Sequence, residues 1–160
     1  VSGPDSGLMS QLDGKGIDIR QSGSEVGRGS AIKMCYAAVT KGTSALTAAV
    51  LTAAETLGIS EELHAEFSDS LPDLFKRMER MVPALPAVSG RYIGEMKEIA
   101  KTMASTGVTP NFHVGATELY ELLLETPFAS ESRETVDKSR TMAQSVEVFA
   151  KYLPVKPAAE

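Results

Sequence analysis

The longest helical pattern in the sequence runs from Ser30 to Leu57, where alanine, leucine, methionine and lysine are frequent and proline is absent. Gly58 follows this stretch and predicts its end, because glycine readily adopts the left-handed conformation that closes helices. Two closely spaced glycines, Gly27 and Gly29, precede it. A helix of this length spans roughly 40 Å, so we expect it to be the axis of the domain.

Shorter apolar patterns with helical spacing follow the long one. A serine followed by two acids at Ser60 is typical of a helix start. The segment that begins at Ser70 is expected to close at Pro83 and Pro86. The predicted short helices cover residues 60–67, 70–82, 89–106, 109–125 and 135–153. With the long helix they give a mainly α, six-helix domain whose short links favour antiparallel neighbours.

Residues 1–22 have a different pattern, rich in turn-forming residues. Gly16 to Arg20 alternates apolar and polar residues and is the one segment predicted to be a strand. A single strand cannot satisfy its own backbone hydrogen bonds and needs a partner sheet. We therefore predict that residues 1–22 are a short remnant of a sheet domain and that residues 23–160 form the all-α domain.

Four stretches resemble a known enzyme superfamily. The segment Gly27 to Cys35 carries the pattern Gly-x-Gly-x-x-x-Lys and is similar to the hinge-helix motif of the β-hydroxyacid dehydrogenases, which include 6-phosphogluconate dehydrogenase. The opening Val1-Ser2-Gly3 resembles the substrate-binding segment upstream of that helix. The segments 94–100 and 112–116 resemble a poorly characterised branch with a 6-phosphogluconate dehydrogenase C-terminal-like domain.

The resemblance implies an NAD(P)-dependent oxidoreductase that acts on a small β-hydroxyacid or sugar acid. Lys33 stands at the position of the catalytic acid/base, Ser2 and Gly3 match substrate-binding residues, and Glu95 lies where relatives contact the cofactor. NAD or NADP would be held mainly by a preceding Rossmann domain, whose Gly-x-Gly-x-x-Gly motif is not found in these residues. We therefore expect the chain to be the C-terminal part of a larger enzyme and to be inactive by itself.

Three further groups of residues are candidates for substrate binding. Gly27 and Gly29 would let a substrate approach the helix closely. Better-known relatives have a substrate-binding asparagine near the position of Tyr36. The Tyr36 hydroxyl would replace one polar contact of that asparagine with the substrate. Lys41, two turns beyond Lys33, would bind a substrate carboxylate or act on Lys33 as a nearby cation. The alternatives are a half-buried core tyrosine for Tyr36 and a solvated surface position for each lysine. For Glu98, one turn after Glu95, the alternative is a surface charge pattern with nearby lysines.

Composition limits the other function classes. The net charge of −5 offers no basic surface for nucleic acid or an anionic membrane. The two histidines, His64 and His113, have no spaced carboxylates or thiols around them, so no metal site is expected. A single cysteine, Cys35, is consistent with a cytoplasmic protein. The apolar surface of the long helix predicts a homodimer, and the alternative function is a non-enzymatic helical dimerisation module.

Overall fold

The structure is a computed structural model that describes residues 1–154. Within this range six α-helices follow one another: α1 Arg28–Leu57, α2 Ser60–Ser70, α3 Pro72–Met81, α4 Pro86–Ser105, α5 Asn111–Glu125 and α6 Met142–Lys151. Three short 3-10 helices lie at Ser6–Leu12, Val82–Ala84 and Pro127–Ser130. The predicted mainly α fold around one long helix is confirmed, and residues 155–160 of the predicted helical domain lie outside the described residues.

Helix α1 begins and ends at glycines with left-handed backbone. Gly27 has a φ of 89° and Gly58 a φ of 70°, values that residues with a side chain rarely adopt. At the C-terminus the N–H of Gly58 donates to the Glu55 carbonyl and that of Ile59 to the Ala54 carbonyl, which is the Schellman pattern. Helix α1 starts two residues before the predicted Ser30.

The buried face of α1 consists mainly of alanines and packs against α4, α5 and α6. Small side chains bring the helix axes close together, because axial distance depends on the side chains at the contact. Helices α4 and α5 also form an extensive pair. The largest fully buried side chains come from α1, α4, α5 and α6: Leu51, Met96, Ile99, Tyr120, Leu123 and Phe149.

The strand predicted at Gly16 to Arg20 is wrong. Within residues 1–154 this region contains a single isolated bridge, between Asp13 and Ile17. The Asp13 side chain accepts a hydrogen bond from the Ile19 N–H at 2.8 Å, so a local turn satisfies part of the backbone that a sheet would have paired. The alternating pattern had no partner strand in this part of the chain.

Several helix boundaries also differ from the predictions, among them the end of α2, which lies at Ser70 instead of near residue 67. Pro86 does not end a helix but occupies the first position of α4, where the missing N–H of proline has no cost. Helix α6 begins at Met142 instead of near residue 135, after a capping box between Thr141 and Gln144. The loop before it is held by Arg140, whose guanidinium donates to Glu131 at 2.6 Å.

No helix among residues 1–154 is both long enough and apolar enough to cross a membrane.

Candidate functional site

The start of α1 is capped by a serine that is distant in sequence. The Ser2 hydroxyl oxygen accepts a hydrogen bond from the Gly29 N–H at 3.0 Å, one of the N–H groups that a helix start leaves without an internal partner. A Cβ atom on Gly29 would lie 3.5 Å from the Ser2 hydroxyl oxygen. The N-terminal segment therefore lies directly against the first turn of the helix, at a distance at which a Cβ atom on Gly29 would still fit.

Two backbone hydrogen bonds hold the N-terminal segment in this position. The Ser22 N–H donates to the Val1 carbonyl at 2.8 Å, and the Gly3 N–H donates to the Gly23 carbonyl at 3.1 Å. The two ends of residues 1–22 are thus joined beside the glycine-rich turn that leads into α1. This arrangement brings the two sequence stretches of the candidate site together.

An open cleft of about 630 Å³ lies where these stretches meet. It contains five of the predicted site residues: Ser2, Gly3, Gly27, Gly29 and Lys33. The exposed Lys33 side chain lies one turn along α1 from Gly29. The cleft thus combines a lysine amine with hydroxyl and backbone groups that can hold a polar substrate.

Sequence reasoning missed the acidic member of this cleft. Asp5 lines it together with the hydroxyl-bearing residues Ser6 and Ser30. Asp5 follows the Ser-Gly-Pro turn by one residue, so the same turn that predicts a binding loop signals its presence. A carboxylate in a cleft that also contains an amine can accept hydrogen bonds from substrate hydroxyl groups.

Lys41 and Glu95, predicted in two separate roles, form an ion pair between α1 and α4. Only 19% of the Lys41 side chain and 25% of the Glu95 side chain are exposed. Burial, and then the nearby charges of Arg91 and Lys33, lower the pKa of the Lys41 ammonium. The substrate role of Lys41 and the cofactor role of Glu95 stay predictions.

Aromatic residues surround this ion pair. The Lys41 Nζ atom lies 4.8 Å from the centre of the Tyr92 ring, and the Tyr120 hydroxyl donates to the Lys41 carbonyl at 2.7 Å. Tyr92 and Tyr120 meet edge to face at 5.4 Å. The fully buried Tyr120 thus ties α5 to α1 beside the lysine. Sequence reasoning missed both tyrosines, because either one also fits an ordinary apolar helix face.

Tyr36 is 72% exposed and is not among the residues that line the cleft. Its backbone carbonyl accepts a hydrogen bond from the Thr40 hydroxyl. The alternative of a core tyrosine is wrong at this position. A substrate contact through its hydroxyl stays a prediction.

A second concave surface, the α1–α5 groove, lies on another face of α1. Its volume is about 570 Å³, and its walls include Val39, Leu46 and Phe112, which are 68%, 63% and 77% exposed. No lysine, arginine, aspartate or glutamate lines it. At its floor Gly42 packs against the buried His113, whose Nε2 atom lies 3.4 Å from where a Gly42 Cβ would be.

Among residues 1–154 no three histidine, cysteine, aspartate or glutamate side chains lie close enough together to hold a metal ion.

Comparisons with known proteins match the helical part of the chain and its fold. Residues 54–123 match a family model described as a domain of unknown function, DUF1932. This match begins downstream of Lys33, so it covers the last turn of α1 and the helices α2 to α5, and not the cleft. No curated protein matches the chain.

Two solved structures are similar. One is a conserved hypothetical protein from Sinorhizobium meliloti 1021, with 22% identity over 95% of this chain and a TM-score of 0.76. The other is the conserved protein MTH1747 of unknown function, described as structurally similar to 3-hydroxyacid dehydrogenases, with 29% identity over 78% of this chain and a TM-score of 0.61. The chain spans about half the length of each, 50% and 48%.

The first similarity concerns the fold alone, and the second connects that fold to proteins that resemble 3-hydroxyacid dehydrogenases. Residues 54–123 thus match the DUF1932 family model, and the described chain is similar in fold to MTH1747, a protein that is itself described as structurally similar to 3-hydroxyacid dehydrogenases.

Proposed function

We propose that this chain is the helical C-terminal substrate domain of a larger NAD(P)-dependent dehydrogenase that acts on a small β-hydroxyacid or sugar acid. The observation that carries the proposal is the cleft that joins Ser2 and Gly3 to Lys33 across the start of α1. The dehydrogenase-like fold is consistent with it. Hydroxyl and backbone groups would hold the substrate, while the lysine moves the proton.

In this proposal Lys33 is the general base in the oxidative direction. The substrate hydroxyl gives its proton to the unprotonated amine of Lys33 as its carbon loses a hydride, and a carbonyl group remains. A bound nicotinamide cofactor supplies the hydride acceptor. In the reverse direction the Lys33 ammonium returns the proton to the alcohol oxygen.

The proposal assigns residues 1–22 to the end of a preceding cofactor-binding domain. Large apolar side chains in this segment face outward, with Leu8 67% and Ile17 53% exposed. A covering domain would remove this apolar surface from water. The chain offers no phosphate-binding glycine loop, so the preceding domain would hold most of the cofactor and Glu95 is the contact expected from this chain. A cytoplasmic location belongs to the same proposal.

A second candidate function, helical dimerisation, is supported by the α1–α5 groove. Uncharged walls with exposed Val39, Leu46 and Phe112 are typical of a surface that another protein covers. A second copy of the chain is the simplest partner, because two-fold symmetry pairs the same surface from both copies. A dehydrogenase can also be a homodimer, so dimerisation by itself does not separate the two functions. A dimer that has no dehydrogenase activity would favour the second function.

The experiment is a substrate screen on the whole protein with NAD⁺ and with NADP⁺. We expect reduced cofactor to form with at least one small β-hydroxyacid or sugar acid. The 160-residue chain by itself is expected to bind neither NADH nor NADPH in a calorimetric titration. Micromolar binding to the chain alone would contradict the assignment of the cofactor to a preceding domain. A whole protein that is dimeric and binds no cofactor would favour the dimerisation module.

A further inference from the structure

Lys41 and Arg91 share a single carboxylate. Glu95 forms an ion pair with the Lys41 ammonium, and its other oxygen lies 3.7 Å from the Arg91 Nε atom. Among residues 1–154 no other carboxylate lies within ion-pair distance of either cation. We call Lys41, Arg91, Tyr92 and Glu95 the cationic cluster, which carries two positive charges against one negative charge.

The two cations of the cluster crowd the same aromatic ring. The Lys41 Nζ atom lies 4.8 Å from the Tyr92 ring centre, and the Arg91 guanidinium carbon lies 5.2 Å from it. The ring attracts each cation and does not cancel a charge. The lowered pKa of Lys41, caused first by burial and then by Arg91 and Lys33, agrees with an excess of positive charge here.

Arg91 has donor groups that Glu95 does not use. Its side chain is 57% exposed, and the 3.7 Å separation from Glu95 is longer than a hydrogen bond. None of the hydrogen bonds found among residues 1–154 involves its guanidinium. The planar guanidinium presents paired N–H groups that match the two oxygens of a carboxylate or a phosphate.

We propose that Arg91 and Lys41 form a binding site for an oxyanion, the carboxylate or phosphate group of a small molecule, and that Glu95 competes with this group for the two cations. The ligand supplies the second negative charge, and Arg91 takes it through its free N–H groups. The site does not depend on catalysis, so it can be tested without knowledge of the reaction.

The site also has a defined place relative to the cleft. Lys33 and Lys41 are eight residues apart on α1, or about 12 Å along the helix axis. Side chains on a helix lean toward its N-terminus, so the Lys41 side chain leans toward the Lys33 turn. An anionic group bound at the cationic cluster therefore lies about two turns along α1 from Lys33 and not in the cleft itself, which none of the cluster residues lines.

The test is an NMR titration of the protein with inorganic phosphate, and separately with acetate, at an ionic strength held constant with chloride. The Arg91 Nε–H signal is followed. We expect a saturable shift, and we expect Arg91→Gln to weaken phosphate binding at least tenfold. Lys97→Gln is the matched control, because it removes the same charge from α4 at an exposed residue. A response to phosphate alone would assign the site to phosphate groups, and a response to both would assign it to oxyanions in general.

Glu95→Gln gives the sharpest outcome. It removes the competing carboxylate, so we expect phosphate to bind severalfold more tightly, whereas an ion pair with a purely structural role would give no gain. An unchanged phosphate affinity in both Arg91→Gln and Glu95→Gln would overturn the proposal. If Glu95→Gln does not fold, the comparison of Arg91→Gln with Lys97→Gln decides the question, because both residues are exposed. Equal phosphate affinity in these two variants would then contradict the proposal.

Discussion

The Ser2 hydroxyl and the Gly29 N–H, 27 residues apart in the sequence, are joined by a hydrogen bond of 3.0 Å. This bond does two things at once. It satisfies a backbone N–H at the first turn of α1, and it fixes the N-terminal segment as one wall of the cleft that contains Lys33. Stability of the helix start and shape of the candidate site therefore depend on the same contact.

Ser2→Ala should lower the free energy of unfolding by about 1 kcal/mol, the usual cost of removing a hydroxyl that caps a helix. Chemical denaturation of the two proteins measures the difference. Ser6→Ala is the control, because Ser6 lines the same cleft but its hydroxyl bonds to the exposed Gln21 side chain. Equal losses for the two variants would mean that the Ser2 bond to Gly29 has no special role.

The two glycines at the start of α1 should respond differently to alanine. Gly27→Ala is expected to cost about 1–2 kcal/mol, because a residue with φ near 89° is strained once it carries a Cβ. No atom lies within 4 Å of that Cβ position, so the cost is conformational. Gly29→Ala meets Ser2 at an ordinary 3.5 Å contact and should change stability by less than about 0.5 kcal/mol.

Thermal or chemical denaturation compares these variants. Gly27→Asn serves as a control, since asparagine adopts the left-handed conformation more readily than alanine, and it should lose less stability than Gly27→Ala. Similar losses for Gly27→Ala and Gly29→Ala would contradict the conformational explanation.

The ends of α1 were predictable because their signals are local. Gly27 and Gly58 enclose a proline-free segment, and both adopt the left-handed conformation that their residue type favours. The start of α6 was not predictable from periodicity alone. The Arg140 guanidinium donates hydrogen bonds to Glu131 and to the Pro83 carbonyl. These tertiary contacts keep the segment from residue 135 to α6 in a loop, although its apolar spacing also fits a helix.

In the candidate site, too, the residues with local sequence signals could be predicted and the contacts between distant segments could not. Residue pattern and resemblance together pointed to Lys33 and to the glycines and serine that line the cleft with it, but not to Asp5. The bond between Ser2 and Gly29 depends on how the chain folds back. The pairing of Lys41 with Glu95 depends on the rotation of α1 relative to α4, and a single sequence does not specify that rotation. The packing of His113 on Gly42 depends in the same way on α1 and α5.

We expect the protein to be a dimer at tens of micromolar and Leu46→Lys to make it a monomer. Leu46 lines the α1–α5 groove and is 63% exposed, and a buried lysine without a partner opposes association. Light scattering measures the mass. Leu57→Lys is the matched control, since Leu57 is also on α1, is 70% exposed and lies outside the groove. A monomeric parent protein would rule out the groove as a dimer interface.

Stability above pH 10 should depend on Tyr120. Burial, and then the nearby Tyr92, raise the pKa of the Tyr120 hydroxyl far above its usual range. Tyrosine in the unfolded chain ionises at about pH 10, so above that pH the unfolded state binds fewer protons than the folded state. The contribution of this group is fully present below about pH 10 and falls by up to about 1.4 kcal/mol per pH unit above it.

Denaturation of the wild type and of Tyr120→Phe between pH 8 and pH 11 tests this expectation, because their difference isolates one group. The stability disadvantage of Tyr120→Phe, which loses the bond to the Lys41 carbonyl, should shrink as the pH rises above about 10. Tyr36→Phe, at an exposed position, controls for the loss of a tyrosine hydroxyl. A difference that stays constant with pH would contradict the raised pKa.

The most direct test of the proposed function is the turnover of Lys33→Ala in the whole protein, with the hydroxyacid that gives the fastest formation of reduced cofactor. We expect kcat to fall by about 10²–10⁴-fold, the usual contribution of a general acid or base, and an added small amine to restore part of it. Stability should change by less than about 1 kcal/mol, because the Lys33 side chain is exposed. Lys97→Ala, at an exposed lysine on α4, should keep wild-type turnover. Near-wild-type kcat in Lys33→Ala would contradict the assignment of proton transfer to Lys33.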